Sequence, residues 1–126
     1  MVRIITDSPS DLSPARAREL GIDVVPLQVL FGEEAFLDGV EMTQEQFYAR
    51  LTTSQELPTT SQINPDTFQA LFQKYVDQGD QVVGIFISSK LSGTCQSAFI
   101  AKDMVEGGEV YIVDSRTVTF ALALLV

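Results

Sequence analysis

Apolar residues along this chain fall into two rhythms, short continuous runs and helical stripes, and the two alternate. Val2, Ile4 and Ile5 form a run that stops at the polar stretch Asp7-Ser8-Pro9-Ser10-Asp11, as expected of a buried first strand. Ser13-Pro14 supplies a capping hydroxyl and a proline whose missing N–H costs nothing at a first helical position, so a helix follows over 15–20 with Gly21 as its stop. Residues 24–31 read as one second strand, with Pro26 assigning it to an edge or a late start. Residues 32–40 contain the turn signal Asp38-Gly39 and leave a hairpin or an irregular excursion open.

Thr43 and Gln46 have the spacing of a capping box and open a helix over 44–51. Asn64-Pro65 repeats the cap-plus-proline start. The stripe Phe68, Leu71, Phe72, Tyr75 and Val76 then gives one apolar helical face, ended by Gly79. Residues 82–87 are almost continuously apolar, the mark of a strand covered on both faces. A loop over 88–93, a helix over 94–105, a strand over 109–113 and a last helix after Asp114-Ser115-Arg116 complete the order. Strands alternating with helices predict an α/β fold, a mostly parallel sheet flanked by helices. Three strands end in similar polar loops, Thr6-Asp7-Ser8, Ile87-Ser88-Ser89 and Val113-Asp114-Ser115. In such sheets ligands sit beyond the carboxyl ends of the strands, so these loops are candidates for one rim.

Composition narrows the chemistry. The 126 residues fit one domain, 45% hydrophobic and 20% charged, a globular balance. A net charge of −9 with eight Lys and Arg argues against nucleic acid as a partner and disfavours an anionic membrane surface. No run approaches the length of a membrane span or resembles a signal peptide, so no membrane insertion is expected. The single cysteine cannot form an internal disulfide and suits a cytoplasmic location. Histidine is absent, which removes the Ser-His-Asp and Cys-His catalytic arrangements and, with one cysteine, the common zinc sites. No dinucleotide, Walker or nucleophile-elbow motif is present, so neither an enzyme nor a cofactor is expected.

Two stretches carry hydroxyls at an unusual density. Pro58-Thr59-Thr60-Ser61-Gln62 precedes the third helix, and Ser92-Gly93-Thr94-Cys95 opens the fourth. Helix starts collect unpaired N–H groups and the positive dipole end, and a glycine lets an anion approach the backbone. Two such loops on one crevice would hold a carboxylate or a phosphate without a basic side chain; ordinary helix capping is the simpler alternative.

The same residues carry a resemblance. Ile5-Thr6-Asp7-Ser8, Val25-Pro26-Leu27, Asp38-Gly39, Phe47-Tyr48, Pro58-Thr59-Thr60-Ser61-Gln62, Ile87-Ser88-Ser89, Leu91-Ser92-Gly93-Thr94 with Gln96-Ser97-Ala98, and Val113-Asp114-Ser115 follow one another over the whole chain. In that order the sequence resembles the amino-terminal domain of the DegV family of bacterial fatty-acid-binding proteins. The resemblance implies a two-domain fold whose second, carboxyl-terminal domain is absent from residues 1–126, with one long-chain fatty acid between the domains. It implies a carboxylate held by Ser92 and by a threonine of Thr59-Thr60, Thr60 being the favoured one, with Ser61, Gly93 and Thr94 around it; the residues themselves offer no metal site. It also implies a carrier, in some bacteria presenting the carboxylate to a fatty-acid kinase for acyl-phosphate formation. A phosphate- or phosphometabolite-binding domain without catalysis is the alternative. Cys95 stands where the family usually has an aromatic residue. Asp7 and Asp114 are expected to be turn residues rather than metal ligands. The run 120–126 is apolar on every side of a helix and predicts an exposed interdomain face, coverable by a homodimer.

Overall fold

The computed structural model describes residues 1–126. Its main sheet contains four parallel strands in the order β2-β1-β6-β7: β1 (Val2–Asp7), β2 (Ile22–Val25), β6 (Gln81–Phe86) and β7 (Val110–Asp114). Helix α1 (Pro14–Leu20) connects β1 to β2, and α4 (Thr94–Met104) connects β6 to β7. One face of the sheet is covered by α3 (Pro65–Asp77) and α4. Ile5, Val25, Val82, Phe86 and Val110 from the strands meet Phe68, Phe72, Ala98 and Ala101 from the helices in one core. The predicted α3 stripe is this contact, with Phe68 and Phe72 wholly buried and Leu71 partly so.

The local signals act as their chemistry dictates. Ser13 accepts the Arg16 N–H, and Gly21 closes α1 in the left-handed region at φ 68°. Thr43 and Gln46 form the reciprocal capping box of α2 (Gln44–Thr53), and Asn64 accepts the Asp66 N–H at the start of α3.

The single strand expected over 24–31 is instead two strands in two sheets. β2 ends at Val25, and β3 (Gln28–Phe31) belongs to a separate antiparallel sheet of order β4-β3-β5, with β4 (Glu34–Leu37) and β5 (Thr59–Ser61). Pro26 has no N–H to continue the first ladder. Leu27 then donates to Ser8 Oγ (3.1 Å) and accepts from the Asp38 N–H (2.9 Å), so the chain is handed from one sheet to the other. The open choice over 32–40 resolves as a hairpin turning at Gly32-Glu33, where Gly32 has φ +64°. Asp38-Gly39 makes the next turn. A small second core, Val29, Phe31 and Met42 with Phe36 and Phe47, lies on this sheet. The Arg50 guanidinium stacks over Phe31 and Phe36 while pairing with Glu34.

The last helix, α5 (Thr119–Leu125), is anchored by Leu122, which is wholly buried. Phe120 and Leu124 are each 71% exposed and Leu125 56%. On the edge strand β7, Tyr111 and Val113 are also exposed.

Candidate functional site

Because β1, β6 and β7 are adjacent and parallel, their carboxyl ends form one rim, as the three polar loops predict. The rim is tied together by carboxylates. Asp7, the last residue of β1, accepts the Ile87 N–H at 2.9 Å. Asp114, the last residue of β7, accepts both the N–H and the hydroxyl of Ser89 and also the Arg116 N–H. Both aspartates therefore act on loop backbone; Asp114 makes the local turn bond expected of it, whereas Asp7 is buried at the end of β1 and reaches a distant loop instead. These bonds hold the Asp114 carboxyl below the usual range, the Ser89 hydroxyl having the largest effect.

Between these anchors the loop 87–93 folds on Ser88. The Ser88 carbonyl accepts from Leu91 N (2.9 Å) and Ser92 N (3.2 Å), and its hydroxyl accepts from Lys90 N. This compact turn delivers Ser92 to the start of α4. There Ser92 Oγ accepts the Thr94 N–H at 3.2 Å and lies 2.9 Å from Thr94 Oγ1. Thr94 is buried and Ser92 half-buried.

The first hydroxyl stretch is not the loop expected from its composition. Thr59-Thr60-Ser61 is β5, paired antiparallel with β3, and a strand turns successive side chains to opposite faces. Thr60 lies opposite Val29, whose other partner is Phe36, so Thr60 belongs to the face of the small core. Thr59 and Ser61 belong to the other face, where Ser61 Oγ donates to Gln28 Oε1 at 3.3 Å. The dense cluster is thereby split: its three hydroxyls do not converge on one point. Thr59 and Thr60 are both exposed.

The two stretches nevertheless meet. The Ile63 N–H points to Thr94 Oγ1 at 3.4 Å. Gln62, two residues after Thr60, places its side-chain amide against Gly93. A β-carbon at Gly93 would fall 1.8 Å from Gln62 Oε1, so only glycine leaves room for this approach. A groove of about 530 Å³ opens beside the junction, between the end of β2 and the start of α3. Ser61, Gln62 and Asn64 line it together with Val25, Leu37 and Ile63. Of the sequence-derived site residues only Ser61 lines this groove; Gly93 and Thr94 touch Gln62 and Ile63 outside it, Ser92 bonds Thr94, and Thr59 and Thr60 do not line it.

Two buried groups lack partners, Thr6 Oγ1 and Asp7 Oδ1. Burial pushes the Asp7 carboxyl up to about 6, against the lowering effect of the Ile87 N–H. The sequence offered only one sign of this, an aspartate ending the most apolar run at the amino terminus. Burial also raises the Cys95 thiol to about 11, with the Asp114 and Asp7 charges adding to it, so this helix-start cysteine is an unreactive core residue.

A parallel α/β domain with an auxiliary antiparallel sheet, and a hydroxyl-rich rim at the strand ends, is the class this geometry defines. The chain belongs to the DegV family: a family model described as "Uncharacterised protein, DegV family" matches residues 1–126. A DegV domain-containing protein of Clostridium perfringens is 42% identical over 125 residues, 99% of this chain and 45% of that protein. One from Halalkalibacterium halodurans is 49% identical over 115 residues, 90% of this chain and 41% of its own length. Among solved structures, a stearic acid-binding protein from Eubacterium ventriosum matches with a TM-score of 0.95 at 33% identity, over 99% of this chain and 45% of that one. DegV of Bacillus subtilis, described as a fatty acid binding protein, matches at 0.91 and 33%, over 98% and 44%. The chain thus spans a little under half the length of these relatives. No helix in it is long and apolar enough to cross a membrane.

Proposed function

We propose that this chain forms the carboxylate-holding wall of a fatty-acid carrier, as the amino-terminal domain of a two-domain protein. Thr60 and Ser92 are the hydroxyls assigned to the carboxylate, with Thr59, Ser61, Gly93 and Thr94 shaping their surroundings. The observation that supports the reading is the contact of Gln62 and Ile63 with Gly93 and Thr94, which joins the segment after β5 to the start of α4. The description of several close structural relatives as fatty-acid-binding supplies the ligand class.

The energetics suit a carrier. An acyl chain gains about 0.8 kcal/mol per buried CH₂, and each hydrogen bond to a charged carboxylate about 1.5–3 kcal/mol. The tail supplies most of the affinity and the hydroxyls fix which end faces the rim. The bound acid is cargo and not a reactant for this chain, which has no histidine to serve as base. A cytoplasmic fatty-acid kinase is the partner to which such a carrier would present its carboxylate. Organic extraction of the purified chain followed by mass spectrometry tests the ligand class. A co-purifying long-chain fatty acid is expected, and a phosphometabolite in its place would overturn the reading.

A further inference from the structure

Asp7 is an expensive residue to keep where it is. Its side chain is wholly buried, and Oδ1 has no hydrogen-bond partner. A buried carboxylate with an unmet lone pair is costly, because its charge has left water without a full set of donors. Its other oxygen holds the first residue of the β6–α4 loop, and from there one peptide link and a hydrogen-bonded turn lead to Ser92. Asp7 fixes Ile87; the next residue, Ser88, accepts from Leu91 N and Ser92 N through its carbonyl; Ser92 Oγ then accepts from Thr94 N.

We propose that Asp7 is a positioning residue for the carboxylate clamp, setting the place of the Ser92 hydroxyl through Ile87 and the Ser88 turn. The inference rests on the fatty-acid reading for what Ser92 does, and on the hydrogen-bond chain for how Asp7 reaches it. Ionisation of Asp7 then reports on the loop. Burial moves its carboxyl to about 6, and the chain contains no histidine to titrate in the same range. Of the ionisable groups on the packed elements, Cys95 on α4 is raised to about 11 by burial, and Asp114 on β7 is lowered by the Ser89 hydroxyl. Asp11, after the turn that follows β1, is raised by burial and by the charge of Asp38, and an Asp7 variant separates the two aspartates.

The test is a ¹⁵N NMR titration of the chain from pH 7.5 to 5, on the wild type, Asp7→Asn and Asp7→Ala. The amides of Ile87, Leu91 and Ser92 are expected to move with one midpoint near 6 in the wild type and to stay flat in Asp7→Asn. In Asp7→Ala the protected amides of Leu91 and Ser92 should exchange about tenfold faster, the loss of one anchoring hydrogen bond. If Asp7→Ala does not fold, the Asp7→Asn comparison decides alone. Movement confined to β1, or a midpoint near 6 that survives in Asp7→Asn, overturns the proposal. No fatty acid enters these readouts. Failure of the wild type to bind oleate would therefore count against the carrier reading alone.

Discussion

Gly93 lies so close to the Gln62 side chain that a β-carbon there would meet Gln62 Oε1 at 1.8 Å and Cδ at 2.7 Å. The backbone at Gly93 is ordinary, φ −77° and ψ 2°, so the glycine is required by the neighbour and not by its own conformation. Gln62 is exposed, so its side chain has room to swing away from an added methyl group. Gly93→Ala should therefore change stability by less than about 1 kcal/mol, while displacing the Gln62 side chain from the start of α4. Thermal melting checks the first part. A several-fold loss of oleate affinity at an unchanged melting temperature is the expected combination.

Asp7 gives the fold a pH dependence opposite to that of most carboxylates. Its folded pKa of about 6 exceeds the unfolded value near 4, so between these values the folded state binds more protons. The penalty of the buried charge is fully present above about pH 6 and is relieved as pH falls toward 4. Asp7→Asn should be more favourable relative to the wild type at pH 7.5 than at pH 4.5, by about 1–3 kcal/mol. Urea denaturation at both pH values measures this difference, and comparing the two cancels the pH-independent cost of the new amide.

Phe68 is the packing keystone of the main core, 5.5 Å from the Phe72 ring and 4.8 Å from that of Phe86. Phe68→Ala should cost about 3–5 kcal/mol, measured by chemical denaturation. The effect should be larger than that of removing any partly exposed apolar side chain on α5.

The α5 face gives a further test. Leu122 is buried, so Leu122→Gln should destabilise the chain, whereas Leu124 and Leu125 are exposed and can be changed without that cost. If this face associates with a second copy, light scattering should show mass rising with concentration for the wild type. The double variant Leu124→Gln, Leu125→Gln should stay monomeric. A concentration-independent monomer for the wild type would remove the homodimer.

Much of this architecture was legible because it is local. The caps at Ser13, Thr43 and Asn64 and the stripe from Phe68 to Val76 specify their elements through neighbours within one helical turn. The polar rim was legible from three repeated strand endings. The division of 24–31 was not, because a proline in an apolar run reads equally as an edge strand. What divides it is a bond from Leu27 to Ser8, nineteen residues away. The strand character of Thr59–Ser61 was hidden for the same reason, since it exists only by pairing with β3. That pairing separates Thr60 from Ser61 in a way no composition argument foresees. The unpaired Asp7 oxygen is also a long-range property, set by burial under elements far along the chain.

The most direct test of the carboxylate clamp is the ¹³C NMR spectrum of oleate labelled at its carboxyl carbon, recorded with the wild type, Thr60→Ala, Ser92→Ala and the double variant. The wild type should give a bound carboxyl resonance shifted from that of free oleate. Each single variant should weaken binding by about 1–3 kcal/mol, the loss of one charge-assisted hydrogen bond, and the double variant should lose the shifted resonance. A bound resonance with the same position and affinity in all four proteins would contradict the assignment of Thr60 and Ser92 to the carboxylate.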